Sequence, residues 1–212
     1  MMKDNSEKPI AVSRTFQMEK ILFYSEIKSE LIRKAFHVLI AISPPMAAMN
    51  RLFTVYLLIA GTLAYAGLES FRLAGIQVPV ISRLTSLASR PRDRGCFVLG
   101  PVTLGLGALL SLLLYPSPAA SIAIYALAFG DGAASLIGKL FGRIRPAFLI
   151  GKSIEGSLAC FFAVLISSYL VTPSFRTAFF AALTATLVEA LPLKDYDNIA
   201  LPLTVGFVVQ LL

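Results

Sequence analysis

Three carboxylates lie inside, or at one end of, segments otherwise apolar enough to cross a membrane. Asp131 sits in IAIYALAFGDGAASLIG, Glu189 near the end of AFFAALTATLVEALPL, and Glu69 closes FTVYLLIAGTLAYAGLE. A carboxylate near hydrocarbon costs ~2.5–3.5 kcal/mol even on the gentlest scale, so such a group normally has a partner, a metal or a water-filled cavity. Other polar residues gather at the same ends of the apolar segments: Arg33, Lys34 and His37, then Arg72, Lys139, Lys152, Ser153 and Glu155, and finally Asp195, Asp197 and Asn198. Acids of this kind can hold a hard cation or take a proton, and bases can hold phosphate. Their convergence points to an active site within the membrane.

The elements that must position them are helices. The 212 residues are 57% hydrophobic and only 15% charged, with a mean hydropathy of +0.77. Soluble domains carry about 25% charge, so the composition is that of an integral membrane protein. Residues 1–30 are polar and mixed in charge, without the apolar stretch and cleavage site of a secretory signal. The pattern predicts an all-α fold of about seven spans, at roughly 35–49, 52–69, 97–115, 118–140, 155–171, 175–191 and 199–212. Pro44-Pro45 is expected to kink or end the first span. Residues 1–30 form an N-terminal segment and residues 31–212 a polytopic catalytic domain. Within the former, 10–30 reads either as an amphipathic helix on the membrane surface, with Phe16, Ile21, Phe23, Tyr24 and Ile27 among charges, or as a solvated tail.

The net charge of +7 is explained by topology rather than by nucleic acid. Seventeen of the 19 Lys and Arg residues fall in one alternate set of connections, and only Arg51 and Arg176 in the other. The positive-inside rule then puts the amino terminus in the cytoplasm and the carboxyl terminus outside. The polar residues named above all fall in the cytoplasmic half. The loop at 72–96 is rich in arginine and would face anionic lipid or substrate.

From Asp131, the helical spacing i, i+4, i+7, i+11 gives Ser135, Gly138 and Gly142 on one face. The glycines of GKLFG suit close helix packing, which leaves Asp131 as the functional residue. The segment GKSIEGS (151–157) resembles a phosphate loop, but Pro146 stands where the first glycine is required and no strand precedes it. Ser153 can still cap a helix whose amino terminus attracts phosphate, with Lys152 adding charge. Glu155 is either a first-turn carboxylate or a metal or base residue. Asp195, Asp197 and Asn198 resemble ligands of a hard cation, or else form a solvated turn. Gly105 and Gly107 read as packing residues, and Cys96 and Cys160 as isolated thiols rather than a disulfide framework or zinc site.

RKAFH (33–37), ESFR (69–72), GDGAASLIGKLFGR (130–143), GKSIEGS (151–157), and Glu189 followed by DNIALPL (197–203) together resemble the CTP-dependent lipid kinases. That family includes dolichol kinases, phytol kinases and yeast-type diacylglycerol kinases, and is related to the phosphatidate cytidylyltransferases. The likeness runs over roughly residues 30–205. One departure is Asp93 in RPRDRG, where a glutamate is expected. The resemblance implies transfer of the γ-phosphoryl group of CTP to a lipid alcohol, with Mg²⁺ or another divalent cation. It makes Asp131 and Asp197 the metal ligands, with Asn198 supporting. Lys139, Arg143, Lys152, Ser153 and Gly132 would face the nucleotide. Glu69 and Arg72 would pair locally or contact the nucleotide. Glu189 is the candidate base, with His37 and Glu155 as competitors. The partners are CTP and the lipid alcohol in a multi-pass membrane protein whose active site faces the cytoplasm; the oligomeric state stays open. The competing readings are a cytidylyltransferase making CDP-lipid and an ion-coupled transporter.

Overall fold

A computed structural model describes residues 8–76, 79, 82, 85, 93 and 95–212, with side chains from residue 24 onward apart from that of Phe148. The described residues form helices and no strand: α1 (Lys8–Ile40), α2 (Ser43–Met49), α3 (Arg51–Leu73), α4 (Gly100–Leu114), α5 (Ala119–Leu140), α6 (Ile154–Val171), α7 (Phe175–Glu189) and α8 (Asp197–Gln210). Most of the arginine-rich loop, including Arg83, Arg90, Arg92 and Arg94, lies outside the described residues.

Four stretches are long and apolar enough to cross a membrane: Tyr24–Met49, Arg51–Leu73, Ala119–Leu140 and Ile154–Val171. The other three expected spans are helical but shorter, with 15 residues in α4, 15 in α7 and 14 in α8. At 1.5 Å per residue they reach about 21–23 Å, against a hydrocarbon layer of about 30 Å.

One expectation changes at the amino end. Helix α1 runs for 33 residues without a break at residue 30, so the first span begins well before residue 35. The predicted amphipathic stretch is therefore helical. The side chains of Phe16, Ile21 and Phe23 lie outside the described residues, Tyr24 is exposed and Ile27 half-buried. Pro44-Pro45 interrupts the first span as expected: α1 stops at Ile40, and a turn covers Ala41 and Ile42 before the next helix. The pair opens that helix, in the first turn of α2, where a missing N–H leaves no helical bond unmade.

Helix α5 is the centre of the bundle. Of its apolar stretch 61% is buried, against 17–22% in the other three long stretches, whose outer faces remain open. Its Ile122, Ile124 and Leu127 are fully buried with Val164 of α6 and Leu201 and Val205 of α8. Small residues set the crossings. A Cβ on Gly156 would stand 2.7 Å from the Ala134 carbonyl oxygen and 3.2 Å from the Gly138 Cα, so α5 and α6 meet backbone to backbone. The packing role expected for the α5 glycines is therefore filled. On the other side, a Cβ on Gly107 would stand 2.0 Å from the Asn198 carbonyl oxygen. Here Asn198 Nδ2 donates to the Gly100 carbonyl (3.3 Å) and to Thr103 Oγ1 (3.0 Å), clamping α8 to α4.

Gly107→Ala is expected to destabilise the protein by about 1–3 kcal/mol, the usual cost of overpacking, because backbone rather than a mobile side chain must move. Gly61→Ala, with nothing within 4 Å of the added carbon, is the control and should be neutral or better. Thermal unfolding in detergent checks both; equal midpoints would reject the close crossing.

Candidate functional site

The polar residues meet at one end of the bundle, and α1 supplies more of them than the motif RKAFH contains. Glu30, Arg33, Lys34 and His37 recur at i, i+3, i+4 and i+7, one face of a helix. Glu30, Lys34 and His37 are all buried. Lys34 Nζ donates to Asp131 Oδ2 across the α1–α5 contact and stands 3.9 Å from Glu30 Oε1. Glu30 Oε2 takes Arg33 at 3.2 Å and Lys139 of α5 at 2.7 Å.

Asp131 follows a π-helical turn at Ala126–Gly130, a rare local geometry that tends to mark functional sites. His37 Nδ1 lies 3.2 Å from Asp131 Oδ2 yet makes no hydrogen bond. The same Asp131 oxygen takes the Lys34 ammonium.

The remaining walls come from helix ends. Ser153 caps α6, its hydroxyl accepting the Gly156 N–H at 3.2 Å. Beside it Lys152 pairs with Glu189, at the end of α7, at 2.8 Å. Asp197 opens α8. Together these residues border a cavity of about 320 Å³ lined by the cations Arg33, Lys34, Lys139, Arg145 and Lys152 and the acids Glu30, Asp131, Glu189 and Asp197. Its size is typical of small-molecule sites, ~300–1,000 Å³. Burial and the neighbouring Asp131 carboxylate push the Asp197 carboxyl up from 3.8 to about 6, against the pull of Lys34 and Lys152.

The structure thus brings Asp131, His37, Lys139, Lys152, Ser153, Glu189 and Asp197 together. Several other expected residues stand apart. Arg143 is exposed and outside the cavity lining, where Arg145 takes its place, donating to the carbonyls of Gly138 and Gly151. Glu155 accepts the backbone N–H groups of Arg143 (2.9 Å) and Ile144 (3.2 Å), which fastens the α5–α6 loop. Glu69 and Arg72 form the local pair, bidentate at 2.8 Å and 2.8 Å. Glu69 also accepts from Val98 N–H and Thr85 Oγ1, tying the long loop to α3. Asn198 spends its amide nitrogen on the α4 clamp, leaving Oδ1 as the one atom it can offer a cation. A Cβ on Gly132 would meet nothing within 4 Å, so crowding does not require glycine there.

Glu30 and Arg145 were missed by sequence reasoning. For Glu30 the signal was present as the i−4 neighbour of Lys34 and the i−7 neighbour of His37. Arg145 lies in a loop, where no helical period announces it.

No protein-family model matches the chain, and no solved structure matches it. Among curated proteins it is 29% identical over 147 residues to the "Probable phytol kinase, chloroplastic" of Triticum aestivum, covering 61% of this chain and 49% of that protein. It is 26% identical over 156 residues to "Probable phytol kinase 1, chloroplastic" of Oryza sativa subsp. japonica, with 65% and 50% covered. It is 27% identical over 147 residues to "Phytol kinase 1, chloroplastic" of Arabidopsis thaliana, with 61% and 48% covered. The chain therefore spans about half the length of the curated relatives it matches, and these distant relatives support a lipid kinase family.

Two outcomes follow from the charges. Removing one partner of a buried pair strands the other, at ~3–5 kcal/mol, whereas replacing both can be neutral. Lys34→Met alone should therefore lower the unfolding midpoint sharply, and the Lys34→Met/Asp131→Asn pair should recover most of it; strictly additive losses in this double-mutant cycle would refute the coupling. For Asp197 the native carboxyl binds its proton more tightly than the unfolded one. Its contribution to stability is full below about pH 4 and is lost as pH rises through about 6. Relative to Asp197→Asn, ligand-free protein should lose stability across that window, whatever the other titrating groups add to both curves. An unaltered slope in the variant would count against it.

Proposed function

We propose that the chain is a multi-pass membrane kinase that transfers the γ-phosphoryl group of CTP to the hydroxyl of a lipid alcohol. The observation that carries this reading is the cluster Lys34–Asp131–His37, a charged set buried between two membrane-length helices and opening onto a cavity with five cations. Such a cavity suits a polyphosphate. Relatives named phytol kinases favour a lipid alcohol as acceptor, with phytol, polyprenols, dolichol and diacylglycerol as the candidates. The resemblance to the CTP-dependent kinases supplies the choice of CTP. The excess of Lys and Arg on one side supports seven spans, some of them short, and a site facing the cytoplasm.

In the transfer, the alcohol oxygen bonds to the γ-phosphorus as the bond from that phosphorus to the β,γ-bridging oxygen breaks. CDP leaves, and the hydroxyl proton passes to a basic group. Such chemistry asks mainly for charge neutralisation and in-line positioning. Lys34, Lys139 and Lys152 each sit on a carboxylate before any ligand is present. Each can exchange that carboxylate for a phosphate oxygen, with Arg33 and Arg145 in the same wall. Glu189 and His37 remain the candidate bases, since Glu155 is held by loop N–H groups.

A divalent cation fits the donors present. Mg²⁺ is usually held by one or two carboxylates plus substrate phosphates rather than by an all-protein cage. Asp131 and Asp197 supply two carboxylates to one cavity, and no cluster of three or more His, Cys, Asp or Glu occurs among the described residues. Asp131 and Asp197 would hold the cation, with Asn198 Oδ1 in support. When bound it supplies charge neutralisation to the triphosphate.

The test is purified protein in lipid nanodiscs, given labelled CTP or ATP with phytol, geranylgeraniol, dolichol or diacylglycerol. Lipid phosphate and CDP are expected, with Asp131→Asn and Lys152→Ala each at least 100-fold slower at retained folded yield. CDP-lipid with pyrophosphate would replace the kinase by a cytidylyltransferase. Undiminished turnover in both variants would reject the site.

A further inference from the structure

The polar cavity has a neighbour of opposite character. A second, smaller cavity of about 100 Å³ shares Arg33, Asp131 and Asp197 with it. Its remaining walls are largely apolar: Phe36 of α1, Tyr65 of α3, Val98, and Pro101 and Leu104 of α4. Arg33 is its one Lys or Arg among the described residues, set against the carboxylates Asp93, Asp131, Asp195 and Asp197. The polar cavity sets five cations against four carboxylates. The two chambers therefore select different ligands. A triphosphate is attracted by the cationic wall of the polar cavity. An alkyl chain finds no partner on the cationic wall, whereas the other chamber offers it apolar surface like that of the bilayer it leaves.

We propose that the apolar chamber between α1, α3 and α4 is the acceptor site, holding the hydroxyl end and first carbons of a long-chain alcohol while the polar chamber holds the nucleotide. This rests on the kinase reading above and assigns the two substrates to separate chambers. The seam between them is formed by the shared Arg33, Asp131 and Asp197. An alcohol entering from the apolar side presents its oxygen at that seam, and a triphosphate on the lysines presents its terminal phosphorus to it. The outer walls also fit a lipid. Only 22% of the Tyr24–Met49 stretch and 17% of α3 is buried, so the chamber lies behind two helices whose apolar outer faces are open. The Glu69 cluster closes the opposite end, holding Val98 against α3 through its backbone N–H at 3.0 Å.

The rival occupant is the cytosine ring, which Phe36 and Tyr65 could stack. Two measurements separate the occupants. In a Cys96→Ser background, Phe36→Cys is labelled with a maleimide in nanodiscs, with geranylgeraniol or with magnesium and CTP added. The alcohol should slow labelling at least fivefold and the nucleotide less than twofold; protection by CTP alone would overturn the assignment. Leu104→Phe, which narrows the chamber, should raise KM for the alcohol at least tenfold and leave the Kd for CTP within twofold; the reverse pattern would overturn it. If Leu104→Phe does not fold, the labelling result decides. Protection by the alcohol in a protein that transfers no phosphate would keep the chamber and remove the kinase reading. Active protein protected only by CTP would do the opposite.

Discussion

A carboxylate inside an apolar helix must be neutralised locally, and at Asp131 the neutralising charge comes from another helix. Desolvation costs several kcal/mol per buried ion. A single opposite charge at about 4 Å returns ~4 kcal/mol at an effective dielectric of 20. One partner barely offsets the cost, and the structure supplies more than one. Lys34 donates to Asp131, and Glu30 holds Arg33, Lys34 and Lys139 in place behind it. Helix α1 is therefore bound to α5 by charge as well as by packing, and the position of the site follows from that docking.

The packing residues have a matching task. Charged side chains reach one another only if the helix axes approach closely at that end of the bundle. Gly156 lets α6 lie against the backbone of α5, which places Lys152 and Ser153 at the cavity wall. Gly107 lets the start of α8 lie on α4, and the Asn198 clamp fixes Asp197 one residue away. The small residues thus set where the polar ones stand, and substitution at either crossing would move a wall of the site.

Much of this was legible in the sequence because hydrocarbon makes buried charge conspicuous. Asp131, Lys152, Glu189 and Asp197 stood out against apolar surroundings, and their common depth foretold the cluster. The reading failed where helix limits were misjudged. Starting the first span at residue 35 cut Glu30 away from Lys34 and His37, although the period joined them. Carrying the Asp131 stripe to Gly142 assumed a helix past Leu140, whereas the chain turns there and Arg145, not the Arg143 that the resemblance implied, reaches the cavity. Glu155 illustrates a different limit. Its spacing fits a base or a ligand, but a loop with two open N–H groups lies within its reach, and no periodicity reveals a loop's unmet hydrogen bonds. Length was a poor guide at the carboxyl end, where the 14-residue α8 carries Pro202 and still packs.

The charge balance of the polar chamber joins its ligands to one another. Five cations face four carboxylates, so the resting site carries little net charge, which is what its depth requires. A lysine that leaves its carboxylate for a phosphate strands that carboxylate in a poor solvent. A stranded acid needs a new positive partner, and a phosphate brings only more negative charge. Neither a nucleotide alone nor a cation alone can enter without leaving some buried charge unmatched, whereas the two together exchange partners with little change in total charge. On the proposed reading, binding of nucleotide and cation is favourable chiefly in combination, and the coupling is reciprocal. The apolar chamber stays outside this exchange, because an alcohol carries no charge to be matched. Its hydroxyl meets the exchange only at the seam where Asp131 and Asp197 face both chambers.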